Sequence, residues 1–344
     1  MATPGYVRQQ DIALKAGVHI TTVSLALRDD PRLAEATRRR IQDLALEMGY
    51  TPDPMLSALT VYRNRSKRIH HQGTLAWLCP PTVRSGQATH QFSDYLKGAE
   101  ERCNELGYKL EVFYFSDLGG SRLSSVLRAR NIKGLLIPPQ AHSRAHLDFD
   151  WNEFSAVCFG FTLSWPRLHL ITNAQYSSSR LAVRMLRTRG YHRLGFVSTR
   201  ETDERTDQNF RAGFLSEQHD FLPENRIPPL LLEDTTITKE CGEFAEWYER
   251  YKPDVILHIY PTVEEFLRRL KITPKQCGCA SLSVPKRDGT LAGVYQNDPL
   301  IGRKAVDFLI DMLHRNERGI PPHRFQFFVE SEWVDGKSIR PAVV

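Results

Sequence analysis

The chain has 344 residues, 41% hydrophobic and 25% charged. That balance is usual for a soluble globular protein, and the length allows a small domain plus one large or two medium ones. Formal net charge is +6. Residues 1–70 carry 11 Lys/Arg and 7 Asp/Glu, the other 274 carry 35 and 33, so the excess sits at the start of the chain. Such an excess suits phosphate contacts and equally a solvated surface. The opening Met1–Tyr6 has no apolar signal core, and no run of about 18 apolar residues occurs. A soluble, cytoplasmic protein is expected. The six cysteines (Cys79, Cys103, Cys158, Cys241, Cys277, Cys279) are scattered, four of them in apolar, strand-like runs. Cys277-Gly278-Cys279 lacks a second half at zinc-ribbon spacing, so reduced core thiols are expected and no metal or cofactor.

In chain order, Ile12, Ala13 and Ala16 recur at helical spacing, and Gly17 ends that short helix because glycine tolerates the positive φ of a sharp exit. Val18, Thr22, Val23, Ala26 and Leu27 form a second periodic set. Two short helices joined by a glycine-containing turn make a helix-turn-helix, or else an ordinary helical hairpin packed on a larger core. The small, hydroxylated Thr21 and Ser24 on the second helix suit a helix pressed into a major groove. Asp29-Asp30-Pro31 breaks that helix. A third begins near Glu35, with Ile41, Leu44, Ala45 and Met48 on its apolar face, and Gly49 closes it. Tyr50 to Pro54 is a stiff extended link, and Met55–Tyr62 is helix-compatible but too short to be stable alone. A basic run, Arg63, Arg65, Lys67 and Arg68, comes next.

From Thr74 short apolar runs alternate with amphipathic stretches. Strands are expected at Leu75–Cys79, Leu110–Phe115, Gly134–Ile137 and Val157–Phe159, the last closing a first series. Helices are expected at Phe92–Leu106 and Ser121–Arg130. A second series has the helix Ser178–Arg189, the strand Arg193–Val197, a helix near Phe210–Gln218, and strands Val255–Leu257 and Cys279–Leu282. Alternating βα units imply parallel sheets with helices on both faces, and two series imply two lobes with a cleft between them. Ligands in such sheets bind at the carboxyl ends of the strands.

The N-terminal region resembles the lactose-repressor (LacI/GalR) family of bacterial transcription regulators. Asp11-Ile12-Ala13…Ala16-Gly17-Val18 with Thr22-Val23-Ser24, then Thr37-Arg38…Ile41, then Gly49-Tyr50-Thr51-Pro52 before a hinge segment, all fall in order within about sixty residues. Gly98-Ala99-Glu100, Leu106-Gly107-Tyr108, Arg180-Leu181-Ala182, Gly190–Phe196 and Gln296…Ile301-Gly302…Ala305-Val306 extend the similarity along the chain. The resemblance implies an all-α helix-turn-helix head (1–52), a hinge helix and basic linker (53–72), and a two-lobed effector domain (73–344) of the type I periplasmic-binding-protein fold, with crossovers between lobes. It implies a dimeric repressor on a palindromic DNA operator, controlled by a small ligand in the interlobe cleft, a carbohydrate on family grounds.

Carried over to this chain, Ile20, Thr21 and Leu25 would touch base edges, with Thr22 and Ser24 available for phosphates and Tyr50 in the same head. Leu25 departs from the pattern, since an apolar side chain meets a thymine methyl but cannot read guanine by a bidentate bond. His19 stands where the family favours a serine N-cap, and neutral imidazole is a weaker cap. Arg28 and Arg8 replace more usual polar residues. Leu59 aligns with the hinge leucine that wedges into the minor groove and kinks the duplex. Phe92 matches an aromatic of the family's cleft. The charged clamps expected there are missing: Ala174, Phe210 and Ser281-Leu282-Ser283 stand in their places, with Arg205 and Arg211 nearby. The residues expected at the effector are His90, Phe92, Phe161, Arg205, Phe210, Tyr260 and Gln296, with Trp165 as a further stand-in.

A sugar-binding module without DNA would predict a signal peptide and no head. A regulator with a degenerate pocket would act without ligand. For an enzyme, G-x-x-x-x-G-K-[ST], H-E-x-x-H and G-x-S-x-G are all missing, and no acid/base constellation is recognisable, so catalysis is not expected.

Overall fold

A computed structural model describes residues 7–27, 30, 32–50, 72–80, 93–233 and 236–341. These residues fall into two compact units, one within 1–70 and one within 71–344.

The first unit holds three helices, α1 (Gln9–Ala16), α2 (Ile20–Leu27) and α3 (Glu35–Glu47). Their apolar stripes meet in one small core of Ile12, Ala13, Val23, Ala26, Ile41 and Ala45. Gly17 takes φ of 69°, and this left-handed step lets Val18 N–H reach back to Ala13 O at 3.1 Å. Side chains of α3 then satisfy carbonyls left over at the ends of the other two helices. Gln42 Nε2 donates to Ala26 O at 2.8 Å and Arg40 Nη2 to Ala16 O at 3.3 Å.

The second unit opens with β1 (Gly73–Cys79), α4 (Ser93–Glu105), β2 (Tyr108–Tyr114), the short α5 (Phe115–Leu118), α6 (Gly120–Ala129), β3 (Gly134–Ile137), β4 (Ala145–His146), β5 (Ser155–Phe159), β6 (Leu163–Trp165) and β7 (His169–Asn173). It continues with α7 (Gln175–Arg187), β8 (Leu194–Thr199), α8 (Arg200–Arg205), α9 (Asn209–Gln218), β9 (Leu230–Leu232), α10 (Ile237–Tyr251), β10 (Val255–His258), α11 (Thr262–Arg269), β11 (Gly278–Ser281) and β12 (Ala292–Tyr295). It ends with α12 (Asp298–His314), β13 (Gln326–Val329) and β14 (Glu332–Val334). Sheet one has the order β13-β7-β5-β3-β1-β2, parallel throughout. Sheet two has the order β14-β12-β11-β10-β8-β9, parallel except for the β12–β14 pair.

The first series does not end at Phe159, as the apolar runs suggested. β7 and β13 extend sheet one, and both escape a hydrophobicity reading because His169, Thr172, Asn173 and Gln326 interrupt them. α10 and α11 add two helices beyond those expected, and the helix expected from Ser178 starts three residues earlier, at Gln175. The chain crosses between lobes after β7, after β12 and after β13.

Each sheet is covered on both faces. On one face of sheet one, Leu123 and Leu127 of α6 pack with Phe149, Trp151 and Phe154, and on the other Ala99 and Cys103 of α4 pack with Ile301, Ala305 and Leu309 of α12. Sheet two lies between α7 and α9 on one side and α10 and α11 on the other. The six cysteines are free thiols, five of them buried. Burial lifts the pKa values of Cys79, Cys103 and Cys158 to about 11, 12 and 12, which keeps them protonated and inert.

α4 and α12 touch backbone to backbone. A Cβ on Gly302 would fall 2.0 Å from Tyr95 O, and one on Gly98 would fall 2.0 Å from Pro299 O. Beyond the far end of α12, buried His169 ties β7 to the segment that leads into β13. Its Nδ1 accepts the Phe325 N–H at 3.0 Å, and its Nε2 lies 2.9 Å from a Glu317 carboxylate oxygen. Glu317, held also by Arg315, is kept below the usual carboxylate range although partial burial works against it.

Gly302→Ala is expected to lower stability by about 2 kcal/mol, because overpacking a backbone contact outweighs the gain in helix propensity. Urea unfolding followed by tryptophan fluorescence measures it, and an unchanged midpoint would mean that the helices can separate freely.

Candidate nucleic-acid interface and interlobe cleft

On α2, Val23 and Ala26 face the core, which turns the start of the helix outward. His19, Ile20 and Thr21 are exposed, while Thr22, Ser24 and Leu25 are half-buried along its side. His19 caps the helix better than expected: its Nδ1 accepts the Thr21 N–H at 3.3 Å and lies 2.5 Å from Thr21 Oγ1. That geometry uses a ring-nitrogen lone pair in the role a serine oxygen usually fills. Half-buried Tyr50 is tied to the head through Gln9, whose Nε2 donates to Tyr50 Oη at 3.1 Å. Arg8 is exposed, and its backbone N–H donates to the Asp11 carboxylate at 2.7 Å. Arg28, Leu59, His90 and Phe92 lie outside the described residues.

The carboxyl ends of both sheets face the cleft. Half-buried Phe161 follows β5 and stacks on Phe328 of β13, with centroids 6.5 Å apart. Tyr260 follows β10 and donates its hydroxyl to Glu240 at 2.9 Å, and Gln296 follows β12 and donates to Leu282 O at 2.7 Å. Phe210 does not belong with this group. It is 2% exposed, in the core with Phe196 and Phe214, and offers no surface to a ligand. Trp165 is elsewhere, in a cavity on the flank of the first lobe. Arg211 is engaged by buried Asp203 through Nε at 3.0 Å and Nη2 at 2.9 Å.

Arg205 does something the sequence did not suggest. From the end of α8 in the second lobe, its Nη1 donates to Gln140 O at 2.7 Å and to Ala141 O, both in the loop that follows β3 of the first lobe. Ser143 in that loop returns the contact, its N–H reaching Glu201 Oε1 at 3.0 Å and its hydroxyl Glu204 Oε2 at 3.2 Å. The loop is itself fixed, because Gln140 N–H donates to Thr162 Oγ1 at 2.7 Å. Burial lowers the Arg205 pKa, with Glu201 opposing. Backbone carbonyl acceptors leave no side-chain signature, which is why this clasp was invisible in the sequence.

At the end of β10, His258 is 1% exposed and neither ring nitrogen makes a hydrogen bond among the described residues. Burial, only partly opposed by the backbone of Tyr260, pulls its pKa down to about 4. Buried Asn173 and Gln175, at the first crossover, also have polar atoms without partners. Among the described residues no group of three or more His, Cys, Asp or Glu side chains is arranged to hold a metal ion.

Comparison with known proteins bears on both the three-helix head and the two-lobed α/β body. The family described as "Bacterial regulatory proteins, lacI family" matches residues 9–53. The HTH-type transcriptional repressor MelR of Bacillus subtilis (strain 168) is 30% identical over 206 residues, covering 57% of this chain and 55% of MelR. The repressor CytR of Escherichia coli (strain K12) is 35% identical over 99 residues, 29% of this chain and 25% of CytR. The chain thus spans about half the length of MelR and a quarter of CytR. In fold it resembles a CelR–cellobiose complex (TM-score 0.56, 15% identity, 96% of this chain and 99% of that one). It equally resembles a lac repressor dimer bound to operator and anti-inducer (TM-score 0.56, 15% identity, 97% and 99%). The similarity to the lacI family is carried by residues 9–53, and that to the solved structures is one of fold.

Arg205→Ala removes the charged donor of the clasp, worth about 1.5–3 kcal/mol for a bond to a charged group, so the Ser143 amide should exchange roughly tenfold or more faster. Hydrogen exchange read by mass spectrometry on the loop peptide checks this, and unaltered protection would mean that the lobes are held by other contacts. His258 is neutral in the folded state with a depressed pKa, so its contribution is complete above pH ~6.5 and is lost as pH falls towards 4. Stability at pH 5 should lie about 2 kcal/mol below that at pH 7.5 on this account, and His258→Gln should remove that difference. Urea unfolding at the two pH values measures both.

Proposed function

We propose that this protein is a cytoplasmic, sequence-specific DNA-binding transcription regulator, a repressor that sits as a homodimer on a near-palindromic operator. The observation that carries the reading is the exposed start of α2, presented by a three-helix head within the stretch that matches the lacI family. Thr21, Ile20 and Leu25 contact base edges, Thr22, Ser24 and Arg28 contact phosphates, and His19 holds the helix start. Leu59 is assigned to the hinge and to the minor-groove step. The repressors MelR and CytR support the assignment, as does the operator-bound lac repressor dimer on the side of partners.

A small ligand in the interlobe cleft biases the lobes and through them the hinge, a two-state element controlled from a second site. The CelR–cellobiose neighbour favours a carbohydrate. The contacts assigned are Phe161, Tyr260 and Gln296, with His90 and Phe92 from the stretch outside the described residues. The second reading, a regulator that needs no ligand, is favoured by the clasp, since Arg205 is already spent on protein carbonyls.

Selection of genomic fragments by the purified dimer tests the first reading. A short palindrome is expected, with recovery weakened roughly tenfold or more by Leu59→Ala and by Thr21→Ala. A folded, dimeric preparation that enriches no motif at moderate salt, with and without added sugars, would overturn it. Operator affinity that ignores every sugar and also ignores Gln296→Ala would establish the ligand-independent version.

A further inference from the structure

The start of α2 is built around His19. Its carbonyl accepts the first two bonds of the helix, from Thr22 N–H at 2.9 Å and Val23 N–H at 3.3 Å, which makes it the capping residue. Val18 N–H, held on Ala13 O at 3.1 Å, fixes the turn before it, and buried Val23 and Ala26 fix the rotation of the helix. His19 and Thr21 are both exposed, and their side chains are tied to each other.

The hydrogens in that tie can be placed. The peptide plane fixes the direction of the Thr21 N–H, which points at His19 Nδ1 over 3.3 Å. The nitrogen that receives it presents a lone pair there, because a ring N–H would set hydrogen against hydrogen. Thr21 Oγ1 approaches the same Nδ1 to 2.5 Å. Two electronegative atoms that close need a hydrogen between them; Nδ1 has none to give, and the hydroxyl has one. The threonine is therefore the donor, and what remains on Oγ1 is acceptor capacity only.

A free threonine hydroxyl rotates to donate or accept as the partner requires, and so tells bases apart poorly. Held in this way it only accepts. In the major groove the donors are the amino groups of adenine and cytosine, whereas guanine N7 and O6 and thymine O4 are acceptors that would face the Oγ1 lone pairs. Every base pair carries one amino group, so what is read is the strand that bears it. The base-facing neighbours assigned above, Ile20 and Leu25, are apolar and bring no side-chain donor to compensate. We infer that His19 is a positioning residue for sequence readout: it takes the Thr21 hydroxyl hydrogen, so that Thr21 selects adenine or cytosine over guanine or thymine at one position in each half-site. The inference rests on the reading of α2 as the helix that enters the groove.

Selection from a random duplex library by the purified full chain, read as base frequencies at each operator position, tests this. One position per half-site should favour adenine or cytosine over guanine and thymine roughly tenfold, and Thr21→Val, which keeps the shape and removes the hydroxyl, should flatten it. His19→Ala should flatten the same position, because the released hydroxyl can then donate to guanine or thymine. His19→Asn should preserve it, since an amide oxygen at the cap accepts both hydrogens. A cap that only steadies the helix weakens every sequence by one factor and leaves the frequencies unchanged, so an intact preference in His19→Ala overturns the inference. Guanine or thymine at the position that Thr21→Val flattens overturns it too, as does a Thr21→Val profile identical to that of the unaltered chain. In each of those cases a recovered palindrome leaves the DNA reading standing, whereas a folded dimer that recovers none overturns both.

Discussion

A parallel sheet delivers all its strand ends to one edge, and that constraint shapes the whole body. A chain that builds two such sheets and passes between them three times must set the two carboxyl edges opposite each other. Everything polar and under-satisfied at the cleft stems from this. The edges are where strands stop, backbone groups run out of ladder partners, and His258, Asn173 and Gln175 hold polar atoms with no partner among the described residues. The same geometry places α8 of one lobe within reach of the loop after β3 of the other, so Arg205 finds carbonyls where a ligand-gripping cation would find an anion.

Legibility in the sequence tracked the physics of each element. The head was readable because a fifty-residue helical unit has one core, and the residues that build it, Ile12, Val23, Ala26, Ile41 and Ala45, repeat with a single period. Central strands such as Gly134–Ile137 were readable because burial on both faces makes them continuous apolar runs. Edge strand β13 and crossover strand β7 were not, since one meets solvent and the other ends at the polar lobe junction. Individual side chains at the cleft were the least legible. Phe210 and Trp165 are both aromatic and both lie near family positions, yet one is in a core and the other is on a flank. Only the three-dimensional path of the chain separates them.

The head and the body differ in how their stability is organised. In the head, α3 is the common support. It supplies Ile41 and Ala45 to the core and lends Gln42 and Arg40 to carbonyls at the ends of its neighbours. The exposed start of α2 is consequently held from behind, with its outward surface facing solvent. In the body, stability is spread over four apolar clusters, one on each face of each sheet. Movement of one lobe against the other therefore disturbs caps and loops and leaves those clusters whole.

The third crossing has a consequence for how the protein is made. The first lobe consists of residues 73–173 together with α12 and β13, which arrive only after most of the second lobe has been synthesised. Until about residue 329 leaves the ribosome, β7 is an open sheet edge, and for most of that time the face of sheet one that α12 covers lacks that helix. His169 meanwhile has neither Glu317 nor Phe325 to bond. Neither lobe is a contiguous stretch of message, so neither can finish folding early, as an N-terminal domain ordinarily does. Premature termination anywhere before β13 leaves both lobes incomplete together, with an unpaired strand available to the next nascent chain.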